Sequence, residues 1–298
     1  MKWTKIIKKR KEQKKKDEIK DTFRISSKGG KIAAYVVLMF FVLLVLVPIL
    51  IVVNVSLKSN SEYMMNGVYS LPEKLLNLEN YVTAFQDGNF GMAFLNTLFL
   101  IGVSVPVSIL TGTMVAYALG RFEFRLRKLM FALFLIPTFI PSMTVTIATF
   151  TLIKTLGLFN TRLAGILLYV GTDIVQIYIF LQYVNQIPSA LDESARLDGA
   201  SRLRIYWSVI LPQMRPAIAT CAILKVINIY NDFFTPYLYM PKSDLRTVAT
   251  ALNTFAGDRM ANWPLMSAAI VFVAIPTIVM YIFMQRFIIN GVTDGAVK

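Results

Sequence analysis

Asp173 and Lys225 are ionisable side chains set inside apolar runs of the sequence, GILLYVGTDIVQIYIFLQ and ATCAILKVINIY. A charge at membrane depth is costly and faces a cavity or a partner. At a rise of about 1.5 Å per residue, both charges reach a similar depth, about 10–15 Å from the same side. Gln176 stands one turn from Asp173, and Asn228, Asn231 and Asp232 follow Lys225. Lys225, Asn228 and Asp232 are spaced three and four apart, which predicts one helix face. Two readings are open, and both can hold at once. One is an Asp173–Lys225 ion pair that holds a bundle together; the other is a polar, water-filled path touched by a hydrophilic solute. Tyr169, Tyr178, Tyr230, Phe233, Phe234 and Tyr237 lie beside these charges and offer faces for stacking on sugar rings. Aromatic residues also gather at membrane interfaces for reasons unrelated to a solute.

Catalysis has little to work with. The chain contains no histidine and a single cysteine, Cys221. Histidine acid–base chemistry, histidine metal sites and an internal disulfide are therefore excluded. No GxSxG, P-loop or CxxC motif is present, so any nucleotide hydrolysis belongs to another chain. No metal site and no cofactor is expected in this one.

The elements that hold these residues are read from hydrophobic blocks. The 298 residues are 56% hydrophobic, against about 45–50% in soluble domains, and the mean hydropathy is +0.58. Six runs are long enough to cross a bilayer as helices: about 32–57, 94–119, 129–153, 163–187, 209–231 and 263–287. The predicted fold class is an all-α integral membrane protein with six transmembrane helices. Pro48, Pro106, Pro137, Pro141, Pro212, Pro216 and Pro276 fall in these runs and predict bends. Gly102, Gly112, Ala116 and Gly120 give the second run a small-residue surface for close packing.

Charge sets the orientation. Residues 1–31 hold thirteen Lys or Arg against four Asp or Glu. This basic arm, placed before the 32–298 transmembrane domain, reads as a cytoplasmic anchor on anionic membrane lipid. Trp3 and Phe23 are its only aromatic residues, too few for a stacking platform, so no nucleic-acid partner is expected. The apolar run that follows exceeds the core of a signal peptide, which predicts an uncleaved first span. Alternation then puts Arg121, Arg125, Arg127, Lys128 and the whole 188–208 loop inside, for an N-in, C-in topology. The location expected is a bacterial-type cytoplasmic membrane.

The 188–208 loop is longer than a connection requires. Pro188 ends the fourth run, and Ser189 stands three residues before Asp192 in a capping-box-like start. Asp192 and Glu193 suit the first turn of a helix and Arg196 the last. Gly199 fits a C′ glycine, and Ser201 can cap the next helix. Ala190, Ser194 and Ala195 are small and allow another surface to come close. Leu191 and Leu197 are the only large apolar residues of this short helix, too few for a helix lying on lipid.

E-S-A-R-L-D-G-A at 193–200, followed by I-L-P at 210–212, resembles the EAA loop of binding-protein-dependent ABC importer permeases. Glu193, Ala195 and Gly199 match that pattern, and Ser194 replaces its middle alanine. NLENYVTAF (77–85), Asn96, GLFNT (157–161), YNDFFTPY (230–237) and QRFIINGVTDGAVK (285–298) are similar to the carbohydrate branch of the maltose-transporter type, and to its smaller permease subunit. The resemblance runs from about residue 35 to the end.

The resemblance implies a permease subunit of an ATP-driven oligosaccharide importer. Its partners would be a second homologous permease, two cytoplasmic ABC ATPases that bind ATP and Mg, and an extracytoplasmic solute-binding protein. The EAA helix between spans 4 and 5 would dock on an ATPase through Glu193, Ser194, Ala195, Arg196, Asp198 and Gly199. Glu193 would be its charged contact, with Asp198 and Gly199 setting the turn. Asp173, Gln176, Lys225, Asn228, Tyr230, Asn231 and Asp232 are the expected substrate path. Lys225 and Asp173 depart from the family pattern, which usually has a small or apolar residue and a proline there. The departure leaves neutral and acidic oligosaccharides both open. The alternative is a secondary transporter or channel for a polar solute; that predicts an inverted repeat, and the sequence has none visible.

Overall fold

The computed structural model describes residues 27–256 and 262–296. Most of the basic arm, and the side chains of the C-terminal motif from Arg286 onward, lie outside the described residues. Among the described residues the structure is helical and contains no strand.

Residues up to Asn54 form one compact unit and Val55 onward another. The first unit contains most of helix α1 (Lys28–Ser56). Its side chains from Tyr35 to Leu50 are exposed and apolar on all sides, as a lipid-facing span requires.

The second unit is built around α4 (Phe90–Arg121), preceded by the short helices α2 (Asn60–Asn66) and α3 (Glu79–Asp87). Lys58, Glu62 and Asn80 organise the loop before α3. The Lys58 ammonium is fully buried and donates to the Gly67 carbonyl at 2.8 Å, the Val68 carbonyl at 3.3 Å and Ser70 Oγ at 2.8 Å. Three acceptors meet its three donors, so its burial is compensated without a carboxylate.

Three of the runs fold as bent pairs. Helices α5 (Arg127–Phe139) and α6 (Ser142–Thr155) are separated at Ile140. Ile140 is extended (φ −94°, ψ 128°), the conformation that the following Pro141 imposes. Helices α7 (Arg162–Val170) and α8 (Ile174–Gln186) meet at 45° across Gly171-Thr172-Asp173. After α9 (Ser189–Leu197), the segment of α10 (Arg202–Ile205), a π-helical turn (Tyr206–Ile210) and α11 (Leu211–Gln213) meets α12 (Arg215–Asn231) at 76°. Met214 is the joint, with Pro216 in the first turn of α12. Helices α13 (Phe234–Tyr239) and α14 (Val248–Ala251) lead to α15 (Trp263–Ala296). Among the described residues three helices are long and apolar enough to cross a membrane, and up to six spans result if each bent pair counts as one.

Two apolar clusters hold the second unit together. The larger joins Leu100, Ile109 and Ala116 of α4 to Phe180, Val184, Ile210, Met214 and Cys221. The smaller joins Phe90 and Ala93 to Tyr230, Val248, Ala251 and Ala268. Helix α8 lies tight on the small-residue face of α4. A methyl group at Gly120 would sit 2.7 Å from Val184 Cγ1, and one at Gly112 would sit 2.9 Å from Thr172 Cγ2. Gly102, on the same predicted surface, faces open space. Gly120→Ala is therefore expected to destabilise the unit by about 1–3 kcal/mol through overpacking, while Gly102→Ala does not. Thermal unfolding of the two purified variants separates them.

Candidate functional site

The break between α7 and α8 creates a polar corner inside an apolar bundle. Asp173 caps α8: its Oδ1 accepts from the Gln176 backbone N–H at 2.8 Å. Gly171, as the C-cap residue of α7, presents its carbonyl to other elements. Lys225 Nζ on α12 donates to that carbonyl at 2.8 Å, and Ser108 Oγ of α4 lies 3.4 Å from it. Gln176 is turned inward, with Nε2 donating to the Ser108 carbonyl at 3.1 Å and Oε1 accepting from Ser108 Oγ at 3.2 Å.

Asp173, Gln176, Lys225 and Asn228 line one cavity of about 200 Å³, together with Val175, Ile179, Cys221 and Leu224. The two charges thus face a shared space, as their depth in the sequence predicts. They are not in ion-pair contact: among the described residues no salt bridge joins them. The helix break supplies each with a separate partner, a carbonyl for Lys225 and a backbone N–H for Asp173.

The other expected path residues part from this cavity. The helix ends at Asn231, and Asp232 is extended (φ −74°, ψ 110°). The three-and-four spacing therefore does not carry Asp232 onto the face of Lys225 and Asn228. Asp232 accepts instead from the Tyr169 hydroxyl at 3.0 Å and the Thr235 N–H at 3.0 Å. Asn231 is exposed at the helix end. Tyr230 is buried in the smaller apolar cluster, where its hydroxyl donates to the Val273 carbonyl at 3.0 Å. Tyr237 stacks on Phe233 at 5.2 Å and lines a second cavity of about 380 Å³, with Phe150, Phe159, Arg246 and Asn253.

The 188–208 loop forms the expected short helix, with one correction at its start. Pro188 is the N-cap and Ser189 the first helical residue, and no side chain caps the turn. The capping box fails because Asp192 points into the protein. It is buried, and its Oδ2 lies 2.9 Å from Arg121 Nε. Arg121 Nη2 also donates to the Ile187 carbonyl at 2.6 Å. The C-terminal end folds as expected. Gly199 has φ +79°, its N–H donates to the Arg196 carbonyl at 3.0 Å, and the Ala200 N–H donates to the Ala195 carbonyl at 2.9 Å. These two bonds make a Schellman motif. Ser201 Oγ accepts from the Arg204 N–H at 3.3 Å and starts α10.

Glu193, Ser194, Arg196, Asp198 and Gly199 are exposed, whereas Ala195 packs inward against the larger cluster. Leu197 is 89% exposed at the tip of α9. Sequence reasoning read Arg121 as a cytoplasmic loop charge and Asp192 as a first-turn acid without joining them, and passed over Ser108 and Gly171. The spacing of Thr113, Tyr117 and Arg121 by four on α4 was the available signal for Arg121. Nothing local marks the others.

Residues 108–292 match the family described as "Binding-protein-dependent transport system inner membrane component". This segment contains both the cavity and the 188–208 loop. The Arabinooligosaccharides transport system permease protein AraQ of Halalkalibacterium halodurans is 31% identical, over 87% of this chain and 93% of that one. The Melibiose/raffinose/stachyose import permease protein MelC of Bacillus subtilis is 27% identical, over 85% of this chain and 91% of that one. A crystal structure of a bacterial ABC transporter involved in the import of the acidic polysaccharide alginate aligns with a TM-score of 0.78 and 25% identity, covering 88% of this chain and 99% of that one. With more than half of its length within the family match, the chain belongs to the inner membrane components of binding-protein-dependent transport systems.

Proposed function

We propose that this chain is the permease subunit of an ATP-driven oligosaccharide importer, crossing the membrane six times with both ends in the cytoplasm. It forms half of the translocation path with a second, homologous permease. Two cytoplasmic ATPases hydrolyse ATP with Mg, and an extracytoplasmic solute-binding protein delivers the sugar. The chain itself catalyses nothing. The observation that carries this reading is the α9 loop: a helix capped at a left-handed glycine, exposing Glu193, Arg196, Leu197 and Asp198 within a chain of this family.

The solute path runs past the cavity of Asp173, Gln176, Lys225 and Asn228. A carboxylate, an ammonium and two amides give donors and acceptors in both senses, which suits hydroxyl-rich rings. Cys221 lines the same cavity and is 3% exposed. As the chain's single cysteine, it reports on water in the path. A charged, membrane-impermeant thiol reagent is expected to label it during turnover and to leave it unlabelled without ATP. Labelling that ignores ATP and sugar would remove the cavity from the path.

The reading as a whole is tested by purifying the tagged chain from its native membrane. An ABC ATPase and a second permease are expected to accompany it. In liposomes with the binding protein, ATP hydrolysis should rise with one sugar of a panel spanning neutral raffinose and acidic alginate oligosaccharides. A chain that brings down no ATPase would overturn the proposal.

A further inference from the structure

One face of α4 grips the 188–208 loop from both sides. Thr113, Tyr117 and Arg121 recur every four residues, so they align along the helix. Arg121 holds the start of α9 through the Asp192 carboxylate at 2.9 Å and the Ile187 carbonyl at 2.6 Å. Tyr117 donates to the Arg202 carbonyl at 3.4 Å, and the Arg202 guanidinium lies 4.9 Å above the ring of Phe122. Thr113 Oγ1 and the Tyr206 hydroxyl are 2.8 Å apart and buried. The loop is thus fastened to α4 before α9, after it, and at the π-helical turn.

The ion pair is the one among these ties that joins two opposite charges. The Arg121 and Asp192 side chains are only 10% and 8% exposed. Asp192 Oδ1 and Arg121 Nε are both buried without a hydrogen bond among the described residues, so the attraction between the two charges is what compensates the carboxylate. Removing one partner of such a pair strands a buried charge. Five residues before Thr113, Ser108 touches Gln176 and the Gly171 carbonyl that holds Lys225. A single helix therefore connects the loop to the cavity through side-chain contacts at each end.

We infer that the Arg121–Asp192 pair is the joint that carries a displacement of α9 into α4, and through Ser108 to the cavity. Arg121 and Asp192 are positioning residues: they touch neither solute nor nucleotide. The inference rests on the reading of α9 as the ATPase docking helix. It adds that the force enters the bundle through the second span, and not only through the α8 and α12 helices that the loop joins in sequence.

The test uses the purified complex in liposomes and the rate at which a charged thiol reagent modifies Cys221, with and without ATP. In wild type, ATP changes this rate. Arg121→Glu and Asp192→Arg should each reduce the ATP-driven change by about tenfold, within the range of coupling between sites, with the ATPase still co-purifying and hydrolysing ATP. The double charge swap should restore the change. If either single variant is lost from the membrane, Arg121→Met with Asp192→Asn leaves no lone buried charge and carries the test. It should assemble and stay unresponsive. A wild-type response in the single variants or in this uncharged pair overturns the inference. So does a wild-type complex that contains the ATPase but shows no ATP response. A wild-type chain that brings down no ATPase defeats the docking reading, and the joint with it.

Discussion

Gly199→Val is expected to abolish uptake while leaving the chain in the membrane. Gly199 sits at φ +79°, where a left-handed backbone costs an L-residue about 1–2 kcal/mol and a β-branched one more. A Cβ there meets no atom within 4 Å, so the penalty is one of backbone conformation, free of any crowding. The variant escapes it by unwinding the two bonds that end α9, Gly199 N–H to Arg196 and Ala200 N–H to Ala195. Leu197 and Asp198 then lose their fixed place on the exposed tip. A displacement of about 1 Å at a positioning element can cost on the order of a hundredfold in rate, and uptake by membrane vesicles should fall by that order. Gly199→Asn, which tolerates the left-handed region, should keep a measurable share. Uptake at the wild-type rate in the valine variant, with equal protein in the membrane, would mean that α9 does not transmit work.

Lys225→Met is the second change with a large expected effect. It removes the charged donor to the Gly171 carbonyl, and a hydrogen bond to a charged group contributes about 1.5–3 kcal/mol. It also removes the cation among the residues that line the cavity, leaving Asp173 as the charged group there. Uptake of neutral sugars should fall by about tenfold, the lower part of that range. An acidic sugar should lose more, because it meets a carboxylate with no neighbouring cation. Because each charge has its own partner, neutralising Asp173 as well should not restore uptake. An ion pair holding the bundle together would give the opposite result, with the double variant better than the single one. Uptake unchanged for every sugar would place the path elsewhere.

The course of the chain was legible because bilayer crossing leaves a coarse signature. A run of apolar residues must be long and nearly free of charge, whatever it packs against. The α9 loop was legible for a different reason. Gly199 and Ser201 act on backbone within a few residues of themselves, so their spacing suffices. Where the same rule met a distant partner it failed. Ser189 and Asp192 have the spacing of a capping box, yet Asp192 is taken by Arg121, seventy-one residues away in sequence. The cavity shows both outcomes side by side. Asp173, Gln176, Lys225 and Asn228 line it as their positions imply. Tyr230 turns to the opposite side of α12 and Asp232 falls past its last turn.

By itself, then, the sequence determined the helical architecture of apolar runs, the glycine-ended α9 loop and the meeting of the two charges at one cavity. All three follow from local hydrophobicity, backbone preference and a constant rise per residue. Only the tertiary structure decided which groups answer those charges. A buried polar atom takes whichever partner the packing brings within about 3 Å. Here the packing brought the Gly171 carbonyl to Lys225 and Arg121 to Asp192.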